Sequence, residues 1–215
     1  MIQTKKMTLN PFAENTYLVW DESGECAVID PGCSTPEEEK LLSTFIREHH
    51  LKPVLLLNTH CHIDHVFGNR FVAETYGLEL TIPKGEEGVL ASAPQLGQMF
   101  GVTCAPSPEA GQVLVEGDVV RFGNSELKVI STPGHSPASV CFYSEEDRLM
   151  ISGDVLFLGS IGRTDLPGGS YEVLMASIRD KLLPLGDDLR ILPGHGPATT
   201  IGAERAGNPF LQDLK

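Results

Sequence analysis

Apolar residues recur along this chain in two rhythms, a spacing of two that marks strands and a spacing near 3.6 that marks helices. Residues 15–21 and 26–29 read as two strands of a hairpin that turns at Glu22-Ser23-Gly24, and Asp30-Pro31-Gly32 ends the second strand. Thr35-Pro36-Glu37-Glu38 has the marks of a helix start: a capping residue, a proline in the first turn, then acids near the positive end. That helix is expected to run to about His50, with Leu41, Leu42, Phe45 and Ile46 as its apolar stripe. Val54-Leu55-Leu56-Leu57 is a buried-strand run, and residues 67–76 predict a second helix ended by Gly77. Residues 84–111, rich in Gly, Pro and Ala, predict a helix plus a mobile surface segment. Residues 113–155 carry a β pattern broken by Glu116-Gly117-Asp118, Gly123-Asn124-Ser125 and Glu145-Glu146-Asp147. A helix over 171–182 is expected on Val173, Leu174, Ile178 and Leu182, followed by a last strand over 189–192. Strands and helices occur in both halves. The expected fold class is therefore α/β, built as two packed halves.

Composition narrows the function classes. A chain of 215 residues with 41% hydrophobic content suits one soluble domain, expected to span residues 1–215. Lys+Arg 16 against Asp+Glu 29 leaves a net charge of −13, which argues against nucleic acid as a partner because phosphate binding relies on clustered cations. An anionic small molecule stays compatible, since bound metal can make a site locally positive. The first seven residues lack the apolar region of a secretory signal, and no apolar run approaches the roughly 20 residues that span a bilayer. A cytoplasmic location with no membrane partner is the expectation. The five cysteines are scattered without a Cys-x-x-Cys pair, which fits reduced thiols.

Candidate chemistry concentrates at strand ends. His60-Cys61-His62-Ile63-Asp64-His65 follows the run 54–57 and places four candidate ligands within six residues. His135 follows Leu127-Lys128-Val129-Ile130, Asp154 follows Leu149-Met150-Ile151-Ser152-Gly153, and His195 follows Ile191-Leu192-Pro193-Gly194. In open α/β sheets, ligands gather outside the carboxyl ends of strands. Imidazole and carboxylate are donors that suit Zn²⁺. His49 and His50 instead end a helix, where a cation is favourable, and receive no role. Cys61 is expected to point away from its histidine neighbours as a small thiol.

The motif His-x-His-x-Asp-His, with His135 in Thr-Pro-Gly-His-Ser, Asp154 in Ser-Gly-Asp and His195 in Pro-Gly-His-Gly, resembles the metallo-β-lactamase superfamily over nearly the whole chain. The resemblance implies a four-layer αβ/βα sandwich, the metallo-β-lactamase fold. It implies one metal site from His60, His62 and His135 and a second from Asp64, His65 and His195, with Asp154 bridging. Two divalent ions per chain follow from it, mainly zinc, with iron or manganese as replacements. The segment Gly159-Ser160-Ile161-Gly162-Arg163-Thr164-Asp165 looks most like that of short bacterial glyoxalase-II-like (hydroxyacylglutathione hydrolase-like) proteins. The chain departs from full-length glyoxalase II in three respects. The extra C-terminal helical region is expected to be missing, Pro197 stands where a tyrosine is usual, and Arg163 stands for a lysine that contacts glutathione.

These features predict a metal-dependent thioester hydrolase acting on a small anionic hydroxyacyl thioester such as S-lactoylglutathione through a metal-bound hydroxide. Asp64 would orient that nucleophile, and Arg163 would clamp a substrate carboxylate. The rival enzyme that the chain also resembles in motif is a mononuclear-iron persulfide dioxygenase, which would use His60, His135 and Asp154; that family follows Arg-Thr-Asp with Phe-Gln, so Leu166-Pro167-Gly168-Gly169 at that place favours the hydrolase. A non-catalytic metal-binding module is the rival of another class, and it would be expected to have lost ligands.

Overall fold

Side-chain alternation along the strands decides the architecture. The computed structural model describes residues 1–214. The first sheet opens with three antiparallel strands, β1 (Gln3–Leu9), β2 (Glu14–Trp20) and β3 (Glu25–Ile29). The Thr35 hydroxyl accepts the Glu38 N–H and Pro36 sits in the first turn of α1 (Pro36–Glu48); such a cap contributes about 1 kcal/mol. The chain returns as β4 (Lys52–Leu57), parallel to β3. The short helix α2 (Ile63–Val66) and α3 (Asn69–Tyr76) then lead to β5 (Leu80–Pro83), and α4 (Glu87–Phe100) leads to β6 (Ala110–Leu114). The six strands lie in sequence order.

The second sheet begins with the antiparallel β7 (Val119–Phe122), β8 (Ser125–Ser131), β9 (Val140–Ser144) and β10 (Leu149–Gly153). A small hairpin of β11 (Leu156–Phe157) and β12 (Ser160–Ile161) follows. Helix α5 (Tyr171–Ser177) runs on into a π turn over Ile178–Leu182. Strand β13 (Arg190–Pro193) pairs parallel with β10, β14 (Thr199–Thr200) forms the edge, and α6 (Ile201–Gly207) packs behind. The order is β14-β13-β10-β9-β8-β7.

Period-two alternation sorts these strands into three apolar layers. On β2, Leu18 faces α1 and its neighbours while Tyr17 and Val19 face the second sheet. On β9, Val140 and Phe142 face the first sheet, and Cys141 and Tyr143 face α5 and α6. On β10, Leu149 and Ile151 point inward and Met150 outward. The result is helix, sheet, sheet, helix: a four-layer αβ/βα sandwich. Truncating Phe142, fully buried between the sheets, would cost about 3–5 kcal/mol. Among the described residues no helix is long and apolar enough to cross a membrane.

Several expectations need correction. Leu41 is 53% exposed, so the inner stripe of α1 is Leu42 and Ile46, with Phe45 half-buried beside them. The helix expected over 67–76 is shorter, starting at Asn69 after a break at Phe67-Gly68; Gly77 does end it, at φ 67°. Val173 is 43% exposed, and the helix expected over 171–182 widens to π geometry after Ser177. Strands β1 and β5 and the start of β6 were not expected.

Candidate metal centre

Every expected ligand sits just beyond a strand of one sheet or the other. His60, His62, Asp64 and His65 follow β4, His135 follows β8, Asp154 follows β10 and His195 follows β13. The structure brings all seven together at the seam between the sheets. One triad is His60, His62 and His135, and a second is Asp64, His65 and His195. His62 Nδ1 and His135 Nε2 lie 2.8 Å apart. His195 Nε2 lies 3.1 Å from Asp64 Oδ2, and His65 Nε2 lies 3.7 Å from the same oxygen. Asp154 stands between the triads. Its Oδ2 is 3.5 Å from His135 Nε2 and 3.4 Å from His195 Nε2, and its Oδ1 is 3.5 Å from His65 Nε2.

The outer nitrogen of three histidines is already taken, which turns Nε2 inward. His60 Nδ1 is 3.1 Å from Thr59 Oγ1. His65 Nδ1 is 3.0 Å from Asp30 Oδ2. His135 Nδ1 is 2.7 Å from the Arg163 carbonyl oxygen, an acceptor only, so this nitrogen carries the proton. Inside, His60 Nε2, His65 Nε2 and Asp154 Oδ1 are buried with no hydrogen-bond partner. Orphaned buried polar atoms are rare in folded proteins, and converging nitrogen and carboxylate donors are what a divalent cation such as zinc or iron takes up. The residues therefore fit the metals that the sequence leads one to expect.

Charge is distributed unevenly between the triads. Burial, reinforced by neighbouring histidines, pushes His60 well below the ordinary imidazole range, and His62 down to about 4. Both rings are neutral donors at pH 7. Burial also works against charge on His65 and His195, but carboxylates overrule it. Asp154, Asp64 and Asp30 hold His65 well above its usual value, and hydrogen bonds to Asp154 and Asp64 raise His195 to about 10.

Backbone features next to the ligands fix these positions. Gly153 has φ 50°, and a Cβ there would strike the Thr59 hydroxyl. The pairing of β10 with β13 shifts register between Ile151 and Gly153, an irregularity that re-aims the following residue, Asp154. A Cβ on Gly194 would run into Asp154 Oδ1 and His65 Cε1. Strand β2 holds the His195 loop across the seam. The Asn15 N–H donates to Gly194 O at 2.7 Å, the Asn15 side chain donates to Pro193 O and Gly196 O, and the Tyr17 hydroxyl donates to Pro193 O.

Sequence reasoning did not single out Thr59, Asn15 or Glu86. Glu86 is fully buried, and its carboxylate accepts hydrogen bonds from both histidine-bearing loops. Its sequence neighbourhood, Lys84-Gly85-Glu86-Glu87, reads as ordinary polar surface. The Arg163 side chain is exposed and forms a two-pronged pair with Asp165 at 2.7 and 2.8 Å. Cys61 is fully buried and belongs to no ligand group among the described residues. His49 stacks on Phe45 at the end of α1, away from the site.

The family profile described as the metallo-beta-lactamase superfamily matches residues 9–195. The hydroxyacylglutathione hydrolase GloC of Haemophilus influenzae is 40% identical over 205 residues, 93% of each chain. The crystal structure of the BLEG-1 B3 metallo-beta-lactamase superposes with a TM-score of 0.90 at 34% identity, covering 98% of this chain and 100% of that one. TTHA1623, crystallised in a di-iron-bound form, superposes with a TM-score of 0.86 at 39% identity, covering 96% of this chain and 100% of that one. With profile, relatives, sandwich and converging ligand loops in agreement, this chain belongs to the metallo-beta-lactamase superfamily.

Proposed function

We propose that the protein is a thioester hydrolase with a dinuclear metal centre, acting on a small hydroxyacyl thioester such as S-lactoylglutathione. The observation that carries this reading is the placement of Asp154 within 3.5 Å of nitrogens from both triads. His60, His62 and His135 are assigned to one ion, Asp64, His65 and His195 to the other, and Asp154 to both. Zinc suits these donors, with iron or manganese as replacements. The di-iron form of TTHA1623 supports a two-metal count. The name of the Haemophilus relative supports a thioester substrate.

Divalent ions held by these residues would make a nearby water more acidic and would supply positive charge to the developing oxyanion. The chain's own groups do the rest. Asp64 Oδ2, 3.1 Å from His195 Nε2, orients the attacking water. The water oxygen bonds to the acyl carbon, the C–S bond breaks, and the sulfur leaves as a thiolate that is neutralised by the proton the water gives up. His60, His65 and His135 keep their geometry through the reaction because their outer nitrogens are tied to Thr59, Asp30 and the Arg163 carbonyl. Arg163 is assigned as the clamp for a substrate carboxylate. Its fork is held by Asp165, so the substrate displaces that partner.

One observation favours a second reading. The 0.90 TM-score with a protein named as a B3 metallo-beta-lactamase makes a β-lactam ring the competing substrate. A panel of thioesters, lactones, β-lactams and persulfides, offered to the metal-loaded protein with His60→Ala as control, separates the readings. Fastest turnover of S-lactoylglutathione, lost in His60→Ala, is expected. Faster turnover of a β-lactam, or oxygen uptake with a persulfide, overturns the thioester reading.

A further inference from the structure

The His60–His62 loop comes from the first sheet and His135 from the second, so the three-histidine triad needs something to set the distance between two loops. The fully buried carboxylate of Glu86 bonds to both loops. Glu86 precedes α4, in the turn after β5. Its Oε2 accepts the N–H of Cys61, the residue between the two histidines, at 2.9 Å. The Ser136 hydroxyl, next to His135, donates across both oxygens, at 2.6 Å to Oε1 and 2.8 Å to Oε2, and Oε1 also accepts the Ala138 N–H at 2.8 Å. Every one of these donors lies within three residues of an assigned ligand, yet Glu86 belongs to no ligand group among the described residues. A second tie runs beside it: Val140 N–H donates to Thr59 O at 2.8 Å.

A buried carboxylate that only filled space would be costly, because its desolvation must be offset by good hydrogen bonds. Charge-assisted bonds of this kind are roughly twice as strong as neutral ones. Glu86 spends them all on the peptides flanking His60, His62 and His135. We propose that Glu86 is a positioning residue for the three-histidine metal site, acting through the Cys61 and Ala138 peptides and the Ser136 hydroxyl. This inference rests on the ligand assignment made under the proposed function.

Glutamine at position 86 has nearly the same shape but only one acceptor oxygen. Its amide NH₂ would face either the Cys61 N–H or the Ala138 N–H, so the hydrogen bond to one of the two loops' peptides would be lost. Asp64, His65 and His195 receive no bond from Glu86 and are spared.

The test is a Co²⁺ titration of metal-free protein followed by electronic absorption, with a competing chelator to set affinity. It is carried out in a His195→Ala background so that the three-histidine site is read by itself. Metal-free melting temperature is recorded for each variant. Glu86→Gln is expected to weaken Co²⁺ binding at this site by about tenfold or more, the usual range for a group supporting a ligand, and to alter the visible band. Ser136→Ala, which removes one donor and leaves the carboxylate, is expected to give a smaller loss in the same direction; it decides the matter if Glu86→Gln fails to fold. Unchanged affinity and band in Glu86→Gln, or in Ser136→Ala where that variant decides, overturns the role of Glu86, whatever happens to the melting temperature. A further His60→Ala change that leaves the band untouched overturns the ligand assignment itself.

Discussion

Asp30 Oδ2 lies 3.0 Å from His65 Nδ1 and also accepts the Thr59 hydroxyl at 2.6 Å, while that hydroxyl lies 3.1 Å from His60 Nδ1. One carboxylate thus orients a histidine of each triad, directly in one case and through Thr59 in the other. Asp30 adopts φ 51°, unusual for a residue with a Cβ. Strain of that kind persists where surrounding bonds hold it, and here four donors converge on the two oxygens. Asp30→Asn should therefore weaken metal binding at both triads, by about tenfold to a hundredfold. Metal content after dialysis against a graded chelator series measures this. Full retention at the wild-type chelator concentration would show that the histidines orient themselves.

Arg163 and Asp165 form an exposed pair, so each competes with other partners of the other. Exposed pairs are weak, and a substrate carboxylate can replace Asp165 at small cost. Arg163→Ala should raise KM for a carboxylate-bearing thioester roughly tenfold with metal content unchanged, and Arg163→Lys should recover only part because lysine lacks the bidentate fork. Asp165→Ala should lower KM by releasing the guanidinium. Steady-state kinetics of the three variants decides; wild-type KM in all of them leaves Arg163 as a solvated loop residue.

Asp21 provides a pH test of the fold outside the candidate metal centre. It is buried, and despite the cost of burial the Ser23, Ser125 and Asn124 donors hold its carboxyl down to about 2. A depressed folded-state value contributes stability above the unfolded value near 3.8, and that contribution disappears as pH falls through about 2. Asp21→Asn should cost roughly 2 kcal/mol at pH 7, and the gap between the two proteins should close between pH 4 and 2. Urea unfolding of both proteins across that window checks the sign; a constant gap contradicts the assignment.

The candidate ligands that the structure gathers were legible in the sequence because each one is local: a polar residue of a metal-binding type shortly after an apolar strand run. His60 after 54–57 and His195 after 189–192 needed no knowledge of the partner sheet. The supports were illegible because they are not local. Glu86 acts on Cys61 and Ala138, 25 and 52 residues away, and Asn15 acts on Pro193, 178 residues away. The helix expected within 84–111 is α4, but Gly88, Pro94 and Gly97, residues that oppose helix on propensity, left its bounds unreadable. It forms because Ala93 and Gly97 bury, and Gly97 lets the Val102 carbonyl approach to where a Cβ would sit at 2.8 Å. Leu41 and Val173 were misassigned for a simpler reason: an apolar residue at the margin of a helical stripe is not obliged to be buried.

The central claim is a dinuclear centre shared through Asp154, and elemental analysis of wild-type and Asp154→Ala protein, purified side by side, tests it most directly. The account predicts about two transition-metal ions per wild-type chain, mainly zinc, and at most about one in Asp154→Ala. One iron per wild-type chain, or two ions retained in Asp154→Ala, would contradict it.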